Sequence, residues 1–408
     1  LGGFRNMSSI DFVNFKEIVD LKNGLNFSKS DRGGMLKIIG VGDFKRYITI
    51  DFDNLETIYP PKKLNPEYML QNGDLLFVRS NGNKELIGRC LLIQNVDEPI
   101  SHSGFTIRAR LTTNAIFPEL IAEYFACGLA HRFIQRRGGG TNISNLSQAI
   151  LEDLPIPFLE KSEQVKVIEL ASQFNEAITL TEKLIRAKRR LKQGLMQKVF
   201  FTRKDTTWQV YKLGNLFERV VRKNNVGCEL VVTGSGEHGL IDQREYFNRR
   251  VASSDLRGYY LIKRGEFAYN RSSMKGYPYG AIKRLDRYDA ATLSTLYVCF
   301  KLIRDDFNSD FFLYLFESGI LNREIYGIVH EGARAHGLLN LSIQNFFGIK
   351  ISVPSVELQN KVANLFRVID CEIDLQTQYL KALQRQKRGV MQKLLTGAIR
   401  IPVLDDAA

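Results

Sequence analysis

No stretch of this 408-residue chain approaches the roughly 18 consecutive apolar residues that a membrane-spanning helix needs, so no membrane partner is expected. Leu1-Gly2-Gly3-Phe4-Arg5 is followed by no apolar segment, which argues against a signal peptide and makes the cytoplasm the expected location. The five cysteines (Cys90, Cys127, Cys228, Cys299 and Cys371) are odd in number, scattered, and free of any C-x-x-C pair. That spacing supports neither a disulfide framework nor a zinc site. The dipeptide Gly-Lys is absent altogether, which excludes a phosphate-binding P-loop. No Asn-Pro-Pro-aromatic element is present, as an amino-methyltransferase would require. His330-Glu331 is not a zinc helix, because position 334 is arginine where the second histidine should stand. Gly40-Val41-Gly42-Asp43 is too slight for a cofactor-binding turn. The acidic residues form no compact carboxylate and lysine set of the nuclease kind. No catalytic residue, metal ligand or cofactor is read from the chain.

What is present is ordinary in amount and unusual in arrangement. Hydrophobic residues at 44% and charged residues at 25% are those of a globular protein, and the length suits two or three domains. The formal charge is +13, an excess that favours a polyanionic partner, chiefly nucleic acid, through counterion release.

The chain also repeats itself. A shift of 195 residues, without a gap, carries Asn145-Leu146-Ser147 onto Asn340-Leu341-Ser342, Gln164 onto Gln359, and Gly194-Leu195-Met196-Gln197-Lys198 onto Gly389-Val390-Met391-Gln392-Lys393. A period of this length means a duplicated domain plus helix. The helical pattern spans Glu163–Val199, with a seam at alternating steps of three and four: Ala171, Phe174, Ile178, Thr181, Ile185, Lys188, Lys192, Leu195 and Val199. Its copy reads Phe366, Ile369, Ile373, Gln376, Leu380, Leu383, Lys387, Val390 and Leu394, and the two predict a coiled-coil pair. The first seam is the more polar, and a small rotation would bring Leu184 and Leu191 in to repair it.

Each helix follows a mixed domain. In the first, strands are expected at Leu36–Val41, Tyr47–Ile50, Leu75–Val78 and Arg89–Ile93, and a helix at Glu119–Gln135 that stops where Gly138, Gly139 and Gly140 break it. In the second, strands are expected at Val231–Val232, Gly258–Ile262, Phe267–Asn270 and Leu296–Leu302, and a helix at Phe311–Ile325. A weaker shift of 192 pairs Gly73-Asp74 with Gly265-Glu266, Arg79-Ser80 with Arg271-Ser272, and Gly88 with Gly280. The loops have therefore diverged on a kept scaffold, which is where recognition usually sits.

Basic residues mixed with aromatics mark those loops. Between Arg219 and Arg287 there are 14 Lys/Arg against 7 Asp/Glu. Candidate DNA contacts in the second half are Arg244, Arg249, Arg250, Arg271, Ser272, Ser273, Lys275 and Tyr277. In the first half they are Lys45, Arg46, Arg79, Ser80, Asn81, Asn83 and Lys84. Arginine forks pair with phosphates or guanine, and Asn and Ser reach phosphates and adenine edges.

Several stretches resemble the specificity subunit of Type I restriction-modification enzymes. They are Glu237-His238-Gly239-Leu240-Ile241, Glu245-Tyr246-Phe247, Tyr260-Leu261-Ile262-Lys263-Arg264-Gly265-Glu266-Phe267-Ala268-Tyr269-Asn270, Ile351-Ser352-Val353-Pro354 and Met391-Gln392-Lys393-Leu394-Leu395-Thr396-Gly397. Leu154-Pro155-Ile156-Pro157, Glu163-Gln164 and Leu195-Met196-Gln197-Lys198 are their counterparts in the first half. Leu358-Gln359 departs from the usual Glu-Gln, and Phe200-Phe201-Thr202 from the Leu-Thr-Gly ending. The resemblance implies an α+β chain of two mixed target-recognition domains, 1–158 and 204–353. Two long antiparallel helices, 159–203 and 354–408 with the tail, join them under a pseudo two-fold. It further implies a non-catalytic subunit that reads a bipartite target in double-stranded DNA. Two modification (methyltransferase) subunits would dock on the helices and methylate adenine, and ATP-driven restriction subunits would cleave. The alternative from another class is a stand-alone DNA-binding regulator or coiled-coil scaffold.

Overall fold

A computed structural model describes residues 10–27, 33–44, 52–60, 65–137, 145–202, 207–235, 239–247, 251–273, 276–329 and 339–402. Each half of the sequence builds a four-stranded antiparallel sheet in the same order. The first runs Val19–Asn23, Thr106–Leu111, Leu75–Val78, Cys90–Leu92. The second runs Phe217–Val220, Val298–Leu302, Phe267–Asn270, Ala281–Arg284. In both halves a short pair joins the start of the domain to its end, Asp11–Asn14 with Pro155–Phe158 and Gln209–Lys212 with Lys350–Val353. The remaining strands differ. The first half sets Glu56–Ile58, Leu36–Ile39 and Ile100–His102 in one mixed sheet, whereas the second makes two separate pairs, Val232–Ser235 with Gly239–Asp242 and Tyr260–Lys263 with Ala290–Leu293.

Leu75–Val78 and Phe267–Asn270 are strands with the expected bounds. Others are shorter or displaced, because turns claim their ends. Leu36–Val41 closes at Ile39 and passes into a single tight turn at Val41–Asp43. Arg89–Ile93 is reduced to Cys90–Leu92, Gly258–Ile262 is Tyr260–Lys263, and Leu296–Leu302 begins at Val298. Val231–Val232 extends as Val232–Ser235. Tyr47–Ile50 lies outside the described residues.

The expected helix at 119–135 is two helices, Pro118–Ala126 and Leu129–Arg137, and the one at 311–325 is also two, Ser309–Glu317 and Asn322–Ile328. The cause is the same in both: Gly128 (φ +85) and Gly319 (φ +78) adopt a left-handed conformation that ends one helix and redirects the chain. Apolar residues that resume after each break, at Leu129 and at Ile320, hid it from the periodicity. The first pair ends at Arg137, and the three glycines that follow lie outside the described residues.

The long helices run further than their seams alone predict, Lys161–Phe201 (41 residues) and Val356–Leu395 (40 residues). Pro157 and Pro354 stand just ahead of them, and Gly397 (φ +74) stops the second by returning its amide to the Leu394 carbonyl at 3.2 Å.

The chain divides into two compact units, Leu1–Glu182 with Gln378–Ala408, and Lys183–Thr377. Each long helix thus gives its N-terminal part to one unit and its C-terminal part to the other. In the first unit the two helix segments run antiparallel, Glu163 meeting Arg400 at 2.7 Å and Asn175 meeting Lys387 at 2.6 Å. Val167 and Ala171 join Met391, Leu394 and Leu395 in a core continuous with Phe15, Phe77 and Leu120 of the domain. The second unit is antiparallel too. Lys188 meets Glu372 at 2.5 Å, and Phe200 stacks on Phe366 with centroids 6.0 Å apart. Leu184 and Leu191 are 42% and 56% exposed, so the rotation expected to bring them into the first seam does not occur. Acidic partners take the charge of Lys188 and Lys192, and the polar seam needs no such repair.

The cysteines divide by burial. Desolvation raises Cys90 well above its ordinary value, Cys127 to about 11 and Cys299 to about 12, while Cys371 is exposed. Brief alkylation of the native protein at pH 8 is expected to label Cys371 on the order of a hundred-fold faster than these three, because the thiolate is the nucleophile. Mass mapping that finds Cys299 labelled as fast as Cys371 would contradict the packing of the second domain.

Candidate nucleic-acid interface

Arg79 and Arg271 occupy equivalent positions directly after the strands Leu75–Val78 and Phe267–Asn270. Their backbones are fastened alike, the Arg79 carbonyl accepting from the Leu146 amide and the Arg271 carbonyl from the Leu339 amide, both at 2.7 Å. Their guanidinium groups turn inward as well. Arg79 Nη1 donates to the Gly104 carbonyl at 3.5 Å, and Arg271 Nε donates to the equivalent Leu296 carbonyl at 3.0 Å. Arg271 Nη1 adds the Leu341 carbonyl at 3.5 Å. These two arginines therefore brace the loops in which they sit, and only their remaining N–H groups can reach outward.

The rest of the first loop is shaped by its asparagines. Ser80 bridges to Asn145, Asn81 Oδ1 accepts from the Asn83 amide at 2.7 Å, and Asn83 Oδ1 accepts from the Glu85 amide at 3.1 Å. The asparagine carbonyls thereby cap successive turns and leave their amide N–H groups and the exposed Lys84 stem on the surface. In the second loop Asn270 Oδ1 caps the Ser272 amide at 3.0 Å and Ser273 is exposed. The Tyr277 hydroxyl lies 3.3 Å from Lys283 Nζ, whose ammonium stands 5.0 Å from the Tyr277 ring centre. Lys45, Arg46, Arg249, Arg250 and Lys275 lie outside the described residues.

Arg244 opens the short helix Gln243–Phe247 and is 71% exposed, yet Asp242 holds it through two nitrogens at 2.7 and 3.1 Å. The hydrogen bond from Arg244 keeps the Asp242 carboxyl below the usual carboxylate range and raises the arginine in turn. Five further arginines of the basic stretch are likewise paired: Arg222 with Glu266, Arg257 with Asp255, Arg264 with Asp289, Arg284 with Asp286 and Asp310, and Arg287 with Glu245. The basic excess of this region is real but largely structured by its own acids. Such partners hold these cations in fixed positions.

The Gly73-Asp74 and Gly265-Glu266 repeats are scaffold. Each carboxylate accepts a backbone amide three residues upstream at 2.8 Å, Gln71 for Asp74 and Lys263 for Glu266, and each takes an arginine, Arg110 or Arg222. The sequence marks Tyr246 and Phe247 within a basic stretch without naming them as contacts, and its reading passes over Phe105. Phe105, 62% exposed, follows Gly104 and accepts the Arg79 amide at its carbonyl. Tyr246 and Phe247 lie exposed in a T-shaped pair 4.7 Å apart on the Arg244 helix. The signal for Phe105 was its place in a Ser-Gly-Phe turn between two strands, where a ring has little to pack against. Among the described residues, no three His, Cys, Asp or Glu side chains are placed to hold a metal ion, and no helix is long and apolar enough to cross a membrane.

Residues 7–187 match the family model of the Type I restriction modification DNA specificity domain. The Type I restriction enzyme MjaVIII specificity subunit of Methanocaldococcus jannaschii is 25% identical over 90% of this chain and 94% of its own. The EcoKI specificity subunit of Escherichia coli is 29% identical over 48% of this chain and 44% of its own. Among solved structures, a chain from a study of complex assembly and conformational transition in the type I R-M system covers 97% of this chain and all of its own, with a TM-score of 0.59 at 13% identity. The type I S subunit from M. genitalium covers 97% of both chains, with a TM-score of 0.50 at 16% identity. A match to the DNA specificity domain in the first half, likeness to specificity subunits along nearly the whole chain, and a domain-plus-helix unit built twice together make this chain similar to the specificity subunits of Type I restriction-modification enzymes.

Proposed function

We propose that residues 1–158 and 204–353 are target-recognition domains, each reading one half of a bipartite site in double-stranded DNA. Residues 159–203 and 354–408, the spacer helices and the tail, set the separation of the half-sites and dock two modification subunits. As a specificity subunit the chain is the non-catalytic member of its enzyme. Adenine methylation and ATP-dependent cleavage belong to separate modification and restriction chains in a cytoplasmic complex. The observation that carries this proposal is the duplication: the same four-stranded sheet, the same braced arginine loop and the same long helix occur twice. One recognition domain would suffice for a regulator reading a continuous site.

The DNA-facing residues we assign are the loop groups Ser80, Asn81, Asn83, Lys84, Ser272, Ser273, Lys275 and Tyr277, with Lys45, Arg46, Arg244, Arg249 and Arg250 as phosphate contacts. Arg79 and Arg271 hold the loops and offer DNA their remaining N–H groups.

The test is a matched seven-residue deletion from both helices. Seven residues at ~1.5 Å each shorten a helix by ~10 Å, or about three base pairs at ~3.4 Å per pair. Binding measured across targets of graded spacer length is expected to shift its optimum down by about that number. An unchanged optimum sinks the ruler, and purification without any modification subunit from a co-expressing cell favours a stand-alone regulator. Within a half-site, Lys275→Ala is expected to weaken binding roughly uniformly, as loss of a lysine charge beside phosphates does. Arg271→Ala also releases the carbonyls of Leu296 and Leu341.

A further inference from the structure

Two lysines in the seams of the long helices are held in a way that the repeat makes comparable. In the first unit Lys387 Nζ lies 2.7 Å from Glu123 Oε2 and 2.6 Å from Asn175 Oδ1, and Asn175 Nδ2 donates to Glu123 Oε1 at 3.0 Å. Lys387 and Glu123 are 12% and 4% exposed. Glu123 stands on the domain helix Pro118–Ala126 and Asn175 on the first long helix. In the second unit Lys192 Nζ lies 2.7 Å from Asp370 Oδ1 and 3.1 Å from Glu317, and the Tyr314 hydroxyl donates to Asp370 Oδ2 at 3.0 Å. The Lys192 ammonium also stands 5.1 Å from the Tyr314 ring centre. Burial and the Asp370 charge raise the Tyr314 phenol far above its ordinary value, so it stays protonated and donates.

These are two versions of one cluster. The 195-residue shift carries Lys192 onto Lys387 and Asn175 onto Asp370. The domain helices align at a shift of 191, because the amides of Phe117 and Asn308 both donate at 2.9 Å to the buried amides of Gln164 and Gln359. That shift carries Glu123 onto Tyr314. The lysine is kept, while the neutral Tyr314 stands where the first half has Glu123, the acid Asp370 stands where it has Asn175, and Glu317 adds a second carboxylate from the domain helix. Each domain is thus tied to its helix pair by a lysine from the other half of the sequence.

We propose that Lys387 and Lys192 are positioning residues that fix the angle of each target-recognition domain on the helix pair beneath it. Lys387 works through Glu123 on its domain helix, and Lys192 through Asp370 on the long helix together with Glu317 on the domain helix. A buried ammonium with hydrogen-bonding partners on two elements holds both in one geometry, because any other arrangement strands a charge away from water.

The second half supplies the test for the first. Glu123→Gln removes the anion of the Lys387 cluster without changing its shape. Adding Asn175→Asp restores one anion at the place that Asp370 occupies in the other half. The readout is the distance distribution between spin labels at Asn83→Cys and Arg388→Cys, in a chain whose accessible Cys228 and Cys371 are serine. The unfolding midpoint is measured alongside. Glu123→Gln is expected to broaden the distribution at least twofold and to lower the midpoint by roughly 5–10 °C. The double variant is expected to return the parental width and to recover most of the midpoint. An unchanged width in Glu123→Gln overturns the proposal, and so does a double variant no narrower than the single one. If Glu123→Gln does not fold, the double variant alone decides, a parental width supporting the proposal and a failure to fold overturning it. Because domain angle bears on half-site spacing only if the two-site function proposed above holds, spacer preference on DNA is measured last. Label distances that respond while spacer preference does not would count against that function and leave the positioning role in place.

Discussion

Replacing Phe300 with alanine is expected to cost the second domain about 3–5 kcal/mol, the range for deleting a buried phenylalanine from a packed core. Phe300 is fully buried on the central strand Val298–Leu302. Its ring stacks on Phe267 at 5.5 Å with an interplanar angle of 12°, and meets Phe217 at 5.4 Å and 89° and Phe346 at 5.5 Å. Edge-to-face and offset contacts of this kind add to the area term, and the helix residue Phe316 closes the group 6.0 Å away. In the first domain the same strand register places Ala109 opposite Leu75 where the second has Phe300 opposite Phe267. Its cross-strand partners are Leu21 and Leu75, so the two cores reach the same topology with different side chains on this strand. Phe105→Ala is the matched control, since a ring that is 62% exposed should cost under ~0.5 kcal/mol. Denaturant unfolding of both variants decides; a loss at Phe300 below ~1.5 kcal/mol would mean that the aromatic group can close over the gap.

The long helices were legible because their signal is local and repeated. A run without proline, three- and four-residue spacing, and a second copy in register all point to one structure. The strands Leu75–Val78 and Phe267–Asn270 were legible for the same reason, each being a short apolar run ahead of an Arg-Ser turn. The breaks at Gly128 and Gly319 were not, since a positive φ depends on where the chain must go next and apolar residues resume beyond each glycine, at Leu129 and at Ile320.

The candidate site was legible as a region more than as a set of contacts. The sequence shows that Arg79 and Arg271 are paired by the repeat. It does not show that Gly104 and Leu296, 25 residues downstream of each, present carbonyls to them. Nor could it show that Asp242 stands ready for Arg244, because ion pairing of six arginines is decided by strand pairing and turn geometry. The lysines of the helical seam were the reverse case. Their polarity looked like a flaw in a coiled coil, and the acids that resolve it, Glu123 and Glu317, come from domain helices far away in sequence.

Gln359→Glu is expected to turn the stability of the second unit into a function of pH. Gln359 is fully buried at the start of the second long helix. Its Oε1 accepts the Asn308 amide, the N-terminal cap of the domain helix Ser309–Glu317, at 2.9 Å, and its Nε2 donates to the Pro354 carbonyl at 3.0 Å. A protonated glutamic acid offers one acceptor and one donor and can make both bonds, whereas the carboxylate has no donor and carries a charge that burial disfavours. The folded-state value of the new group must therefore rise above its unfolded value of ~4.3. The sign follows: the contribution is fully present below ~4.3 and is lost as pH rises through the folded-state value. A rise of two to three pH units corresponds to about 3–4 kcal/mol missing at pH 8. Gln164→Glu should differ, because Gln164 Nε2 donates to two carbonyls, those of Ala115 and Leu159, both at 2.8 Å. One proton cannot serve both, so that variant should stay below the parent by about 1–3 kcal/mol even at pH 4. Unfolding midpoints from pH 4 to pH 8 separate the two. Equal midpoints for Gln359→Glu at both ends would show that water reaches the carboxylate and that the domain helix is not held through this side chain.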